Sequence, residues 1–316
     1  MSLSKSAMLV SVAIVNGGLL GERKDPIASN LVQTTYGTAD RRTKASKYLI
    51  DRQHKSVKRV VAASQRVREV VYKYTLPWGD DKVRVLAIKL ESAFRHDLEL
   101  AIHELKHARE DYIHAFPALV SASERDLAEL FDRSQYPGTD RIRDLFKTKV
   151  VYWPIPESNH FVADVSADAA KEAKESIEHE IEERLLEATY DMVRRAKEVV
   201  TAFVDKVSNL QFDEDGKPLK GTGFTESLVG NIRDQAHLIE RMNLTNNPQI
   251  TKVVKDLNRI VTLACRASFL KDASMADGRK RALTAGQEVL ANLTMLDLKD
   301  QEVSDMVDGT SDYLDL

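Results

Sequence analysis

Apolar residues recur every three or four positions through one long stretch, residues 84–115, which contains no glycine or proline. Its apolar side chains follow a 4-3-4-3-4 spacing: Phe94, Leu98, Ala101, Leu105, Ala108 and Tyr112. This spacing keeps them on one face of an α-helix and is typical of a helix that packs along another long helix. The pattern predicts a helix over about 84–115, and Phe116-Pro117 should end it because proline disfavours continuation.

Two further long segments show helical periodicity. The first follows a polar loop that ends near Asp40, and it continues to Tyr74. Its apolar face carries Val57, Val60, Val67 and Val71. The second begins at Ser166, a favourable N-cap residue, and continues to about Asn209. Only 13 glycines and 8 prolines among 316 residues argue against a sandwich, a propeller or a Rossmann sheet. We expect a mainly α fold with an elongated antiparallel, coiled-coil-like body.

Short β-branched stretches predict a small β element beside these helices. Strands are expected near 8–15, 149–153 and 160–164, the last two as a hairpin. The acidic, glycine-containing stretch 213–223 predicts a boundary, followed by shorter helices over 226–243, 248–269 and 278–296. The expected domains are a long-helix body over 1–212, a helical bundle over 222–296 and a flexible acidic tail over 297–316.

Cysteine content and hydropathy restrict the environment of the chain. Cys265 is the single cysteine, so an intrachain disulfide and a thiolate-rich metal site are excluded. Its apolar neighbours favour a buried structural thiol over a nucleophile. No apolar run approaches the roughly 20 residues of a membrane span, and the first residues show no secretory cleavage region. These features predict a soluble, cytoplasmic protein.

The strongest charge feature is a basic segment, residues 41–73. It holds eleven lysines and arginines against Asp51 and Glu69, a net charge of +9, although the whole chain carries −3. On a helix, nine of the eleven fall within an arc of about 140°, opposite the valines. A row of cations suits a phosphodiester backbone. The residues predicted to contact nucleic acid are Arg41, Lys44, Arg52, Lys55, Lys58, Arg59, Arg66 and Lys73.

Two alternatives explain the same charges without nucleic acid. Residues 164–187 carry a net charge of −6 and could pair with the basic segment within or between chains. The basic face could also simply be solvated. The last twenty residues carry another −6 and end in an apolar tip, Tyr313–Leu316. Such a tail could compete with nucleic acid or dock on a protein partner.

A zinc-binding pattern, H-E-x-x-H, occurs at 103–107. On a helix, His103 and His107 would share a face and could hold zinc while Glu104 activates water. His96 and His114 extend the same face. This face lies opposite the apolar seam, and no clear third ligand follows in the sequence. The pattern therefore favours a polar helix face, with incidental metal binding and a zinc hydrolase as alternatives, so no cofactor is predicted.

Several motifs resemble a family of uncharacterised helical proteins of tailed bacteriophages and their bacterial relatives. The motifs that carry the resemblance are MLVSVAI, LPWGDD, FPALV, YPGTDRIRDLF, VVYWPIP and HFVADV. It covers about residues 8–209. The resemblance implies a partner role, because genes of this family often lie near a MoxR-type AAA+ ATPase and a von Willebrand A-type protein. It implies no catalytic residues, and H-E-x-x-H is not one of its features.

Together these patterns predict a non-enzymatic phage-type helical protein in the host cytoplasm. It would self-associate and bind nucleic acid through the basic helix face, with an acidic tail that regulates binding or docks on a partner. The alternative is an oligomeric scaffold or adaptor without nucleic-acid affinity, which the resemblance would make a partner of the AAA+ ATPase. The H-E-x-x-H hydrolase is a further alternative.

Overall fold

The fold is mainly α-helical, as the sequence predicts. The computed structural model describes residues 3–17, 21–38, 42–79, 82–156 and 166–311, without the side chains of Thr139 and of 297–311. The helices in the described part are α1 Pro26–Tyr36, α2 Lys55–Tyr74, α3 Glu91–Leu127, α4 Thr139–Ile142, α5 Ala167–Ser208, α6 Ser227–Met242, α7 Pro248–Ala264, α8 Ala267–Leu270 and α9 Ala276–Ser311. No helix there is both long enough and apolar enough to cross a lipid bilayer.

Six short strands accompany the helices in the described residues. They are β1 Ala7–Asn16, β2 Glu22–Asp25, β3 Ala45–Tyr48, β4 Thr75–Pro77, β5 Arg84–Ala87 and β6 Phe146–Trp153. One sheet has the strand order β4-β5-β1-β6, and β2 pairs with β3 in a second sheet. The strands predicted near 8–15 and 149–153 are confirmed as β1 and β6. The strand predicted near 160–164 lies outside the described residues.

The chain divides into two compact units. Unit 1 comprises Met1–Leu9, Thr75–Leu90 and Trp153–Leu316, and unit 2 comprises Val10–Tyr74 and Glu91–Tyr152. The boundary predicted over 213–223 therefore lies inside unit 1. The physical reason is that α5 packs against α6, α7 and α9, the helices expected to form a separate bundle.

Helix α5 of unit 1 has buried side chains only in its second half. Its buried side chains are Ala188, Asp191, Met192, Val193, Arg195, Ala196, Val200, Phe203, Val204 and Val207. The predicted cap is confirmed, since the Ser166 hydroxyl accepts the Ala169 N–H at 3.3 Å. Arg195 lies 2.6 Å from Asp191 in a buried ion pair and donates to the Thr75 carbonyl at 2.8 Å. This half of α5 is thereby joined to β4.

The end of unit 1 differs from the expected flexible tail. Helix α9 continues to Ser311, so residues 297–311 are helical, and 312–316 lie outside the described part. No glycine or proline interrupts the chain between Gly286 and Gly309, which explains the continuation. The thiol of Cys265 is exposed, contrary to the expected burial. Helix α7 ends at Ala264, and Cys265 takes a positive φ of 54° beyond it, off the buried face.

In unit 2 the main packing is between α2 and α3. All six seam residues predicted for α3 are buried. The predicted end at Pro117 is wrong, because α3 continues to Leu127. The proline ring is exposed, while Phe116 and Leu119 on either side are buried. Their burial offsets the hydrogen bond that proline cannot donate.

Candidate nucleic-acid interface

Helix α2 begins later than the sequence suggests. Asp51 accepts the Gln53 N–H at 2.8 Å, and His54 Nδ1 accepts the Ser56 N–H at 3.3 Å. These side chains satisfy backbone groups at the start of the helix, so the first helical residue is Lys55. A helix of 20 residues is about 30 Å long. Of the helical segment expected between about Asp40 and Tyr74, the described part is therefore helical only from Lys55 onward.

The residues before α2 form strand β3 instead of a helical turn. β3 pairs antiparallel with β2, in the register Glu22↔Tyr48 and Asp25↔Ala45. This pairing removes the basic residues upstream of Arg52 from the helix face. Lys44 precedes β3 and is exposed, and Arg41 lies outside the described residues.

Lys47, one of the eleven basic residues, is a core residue. Its ammonium lies 2.6 Å from Asp25 Oδ2, and both side chains are less than a tenth exposed. It also donates to the Leu130 carbonyl. Asp25 accepts the Ala28 N–H at 2.9 Å and so caps α1. The hydrogen bonds from Lys47 and Ala28 lower the pKa of Asp25 below its ordinary value.

Helix α2 keeps the two faces that the sequence predicts. Val57, Val60 and Val67 are buried, and Val71 is half-buried. The opposite face exposes the predicted cations Lys55, Lys58, Arg59, Arg66 and Lys73. Over its 20 residues α2 carries six basic residues and one acidic residue. The helix therefore retains an exposed basic face, shorter than expected.

Helix α3 neutralises two of these cations. Arg59 forms an ion pair with Asp111, and Lys73 Nζ lies 3.2 Å from Asp97 Oδ2. The Tyr74 hydroxyl donates to the same oxygen at 2.7 Å. The hydrogen bonds from Tyr74 and Lys73 hold the pKa of Asp97 below its ordinary value. Internal pairing of the basic segment therefore occurs at two positions, with acids of α3. Pairing with residues 164–187 stays a prediction.

Three other predicted cations of α2 are exposed and form no ion pair with another element of the described chain. Lys55 and Lys58 are exposed and have no ion-pair partner among the described residues. Arg66 is 63% exposed, and its only close carboxylate in the described part is Glu69, at 3.6 Å on the same helix. Surface pairs of this kind stabilise by less than about 1 kcal/mol and give way readily to another anion. Lys55, Lys58 and Arg66 can therefore accept a phosphate.

Arg52 is held against an aromatic ring. Its guanidinium carbon lies 4.9 Å from the centre of the Tyr48 ring, and Nη1 donates to the Tyr48 hydroxyl at 3.0 Å. That hydroxyl donates to Glu22 Oε1 at 2.5 Å. Hydrogen bonds from Tyr48 and Ser46 lower the pKa of Glu22. The arrangement fixes one cation and one aromatic side chain near the start of α2.

An open groove lies beside the first half of α2. Its volume is about 950 Å³, and most of its lining is apolar, with Ile50, Val57 and Leu127 among the lining residues. Tyr48, Arg52 and Lys58 also line it. The sequence did not reveal this groove, because β3, α2 and the end of α3 meet only in the folded chain. Tyr48 and Tyr72 are the only aromatic residues of the basic segment in the sequence, and so few did not indicate base stacking.

The histidines of the H-E-x-x-H pattern lie on the exposed side of α3. His103 and His107 place their Nε2 atoms 3.3 Å apart, with ring centres separated by 4.5 Å. His96, Glu104 and His114 are exposed as well. In the part of the chain that the structure describes, no group of three or more histidine, cysteine, aspartate or glutamate side chains is placed to hold a metal ion.

Comparison of the chain with protein-family models, with curated proteins and with solved structures gives no significant match.

Proposed function

We propose that unit 2 binds nucleic acid through the exposed face of α2, with Arg52, Lys55, Lys58 and Arg66 as phosphate contacts. The observation that carries this proposal is that all four cations are exposed and that two of them, Arg52 and Lys58, line the apolar groove. Arg59 and Lys73, which pair with acids of α3, contribute less. Lys44 is exposed upstream of β3 and would extend the contact.

The groove favours single-stranded over double-stranded nucleic acid. An unpaired base can leave its stack and lie on an apolar surface beside an aromatic ring, whereas a paired base cannot. Tyr48 and the apolar lining supply such a surface. Asp51 and Asp126, which also line the groove, would accept hydrogen bonds from base amino groups and repel phosphate. The backbone is therefore expected to follow α2, with bases turned toward the groove.

The proposal is tested by removing cations without changing the fold. The variant Lys55→Gln/Lys58→Gln/Arg66→Gln is compared with wild type for binding a fluorescent 20-nucleotide single strand by anisotropy. A control, Arg241→Gln/Lys252→Gln/Lys255→Gln, removes three exposed charges from unit 1. The first variant should bind much more weakly than wild type and the control should not. Equal losses in both variants would mean that only net charge matters, and unchanged binding in both would remove α2 as the site.

A second candidate is an oligomeric scaffold without nucleic-acid affinity. The observation that favours it is α1, in which Ile27 and Leu31 on one face are 63% and 68% exposed and Tyr36 at the end of the helix is 76% exposed. Apolar side chains in one short helix are suited to docking on a second copy of the chain. The resemblance to the phage family adds a partner role with an AAA+ ATPase to this candidate.

Light scattering on a size-exclusion column separates the two candidates. A scaffold predicts an oligomer that Ile27→Glu/Leu31→Glu dissociates, while Met295→Glu, at a residue 68% exposed in unit 1, leaves it intact. It also predicts no mobility shift with the single strand. A monomer that binds the strand would exclude the scaffold.

A further inference from the structure

His103 and His107 lie one helical turn apart on α3, and both imidazoles are exposed. Their rings meet edge to face at 71°, with the two Nε2 atoms 3.3 Å apart. At that separation a hydrogen on one Nε2 can be accepted by the other, and the ring tautomers decide the roles. Both residues are exposed among the described residues, so an ion can approach the two rings directly.

The separation of the two nitrogens matches a metal chelate. Zinc–nitrogen bonds of about 2.0–2.1 Å at a tetrahedral angle place two ligand nitrogens about 3.3–3.4 Å apart. A square-planar ion, whose neighbouring ligands subtend about 90°, would need them about 2.9 Å apart. We propose that His103 and His107 form a two-histidine site for Zn²⁺. Binding needs both Nε2 atoms unprotonated, so a neutral ring that carries its hydrogen on Nε2 moves it to Nδ1, with no net loss of a proton.

The surroundings define the type of zinc site. Asp111, one turn beyond His107, is engaged by Arg59, and within the described residues no third protein ligand lies close enough. Two of the four coordination positions of a tetrahedral Zn²⁺ ion would therefore be filled by water or an anion. Structural zinc sites have four protein ligands and catalytic ones usually three. The inferred site is consequently an exchangeable binding site and not a hydrolytic centre, and it is independent of the basic face of α2.

Isothermal titration of the full chain with Zn²⁺ near neutral pH tests the inference. The test variant is His103→Gln/His107→Gln, and the matched control on the same helix is His96→Gln/His114→Gln. His96 and His114 are seven residues from the nearer member of the pair, about 10 Å along the helix, beyond reach of the same ion. Circular dichroism checks that each variant keeps its helix content.

Wild type and control should take up one Zn²⁺ per chain at this site, and the test variant should bind it at least about 10-fold more weakly. Loss of a group that only supports a ligand already costs about 10- to 100-fold, so loss of both ligands should cost more. Nitrogen NMR of the side chains should show Zn²⁺-dependent shifts in the imidazoles of two histidines only. Absence of saturable uptake by wild type, or the same affinity in the test variant, would overturn the inference.

Discussion

Replacing Lys47 with methionine separates the structural role of the basic segment from its proposed binding role. The substitution removes the cation that lies 2.6 Å from Asp25, whose side chain is only 2% exposed. The carboxylate must then stay buried without a counter-charge or take up a proton. Protonating at pH 7 a carboxyl with an ordinary pKa near 3.9 costs about 4 kcal/mol, since each unit is about 1.4 kcal/mol. Breaking a buried ion pair generally costs a similar amount, about 3–5 kcal/mol.

Urea unfolding followed by circular dichroism measures this loss, and a double-mutant cycle assigns it to the pair. Asp25→Ser keeps a side-chain oxygen for the Ala28 N–H but leaves Lys47 without its carboxylate, so it should also destabilise. The double variant has no buried charge and should be more stable than the sum of the two losses implies, by at least about 2 kcal/mol. Hydrogen exchange should locate the effect in β2 and β3.

Two outcomes would refute this reasoning. Additive losses would mean that Lys47 and Asp25 do not interact in the folded protein. A large fall in nucleic-acid affinity with unchanged stability in Lys47→Met would mean that Lys47 belongs to the binding face. The pH dependence gives a further check. Because the folded pKa of Asp25 is depressed, its contribution is present above about pH 4 and lost as pH falls through the folded value. Asp25→Ser should lack this component.

Other substitutions test packing and charge elsewhere. Arg109→Met should lower the free energy of unfolding by at least about 3 kcal/mol, because Arg109 is buried and donates to the Val15 carbonyl, Asn16 and Thr148 at 2.8–3.0 Å; a neutral result in urea would contradict these bonds. Tyr112→Phe should leave the melting temperature unchanged or raise it, since the buried hydroxyl has no hydrogen-bond partner in the described part of the chain. A marked fall would reveal an unseen partner. Deleting 297–316 removes a net charge of −6 and should tighten single-strand binding at low salt but not at about 0.5 M, where screening shortens the range of charge effects; an unchanged affinity would argue against a regulatory tail.

The helical core could be predicted because its periodicity is local information. The seam of α3 from Phe94 to Tyr112 is buried as its spacing requires, and the valine face of α2 is buried for the same reason. Ser166 caps α5 as its residue type suggests. In each case the residues that decide the structure lie within a few turns of one another. Such patterns do not say which helices pack together, and the division into units differs accordingly from the expected domains.

The basic segment shows what local pattern cannot supply. β2 has the sequence ERKD, which lacks the apolar alternation that predicts a strand. The sequence therefore did not indicate that this segment pairs with β3. Burial of Lys47 depends on Asp25 and on the Leu130 carbonyl, 83 residues away in sequence. Neutralisation of Arg59 depends on Asp111, 52 residues away. Charge counting therefore found the segment but not which of its members remain exposed.

The salt dependence of single-strand binding by the full chain tests the central claim most directly. About four phosphate contacts, from Arg52, Lys55, Lys58 and Arg66, predict a slope of about −2.8 in a plot of log affinity against log salt. Raising salt from about 50 to 200 mM should weaken binding roughly 50-fold, and Lys55→Gln/Lys58→Gln/Arg66→Gln should reduce the slope to about −0.7. Absence of binding at about 50 mM salt, or binding that does not respond to salt, would contradict a nucleic-acid interface on α2.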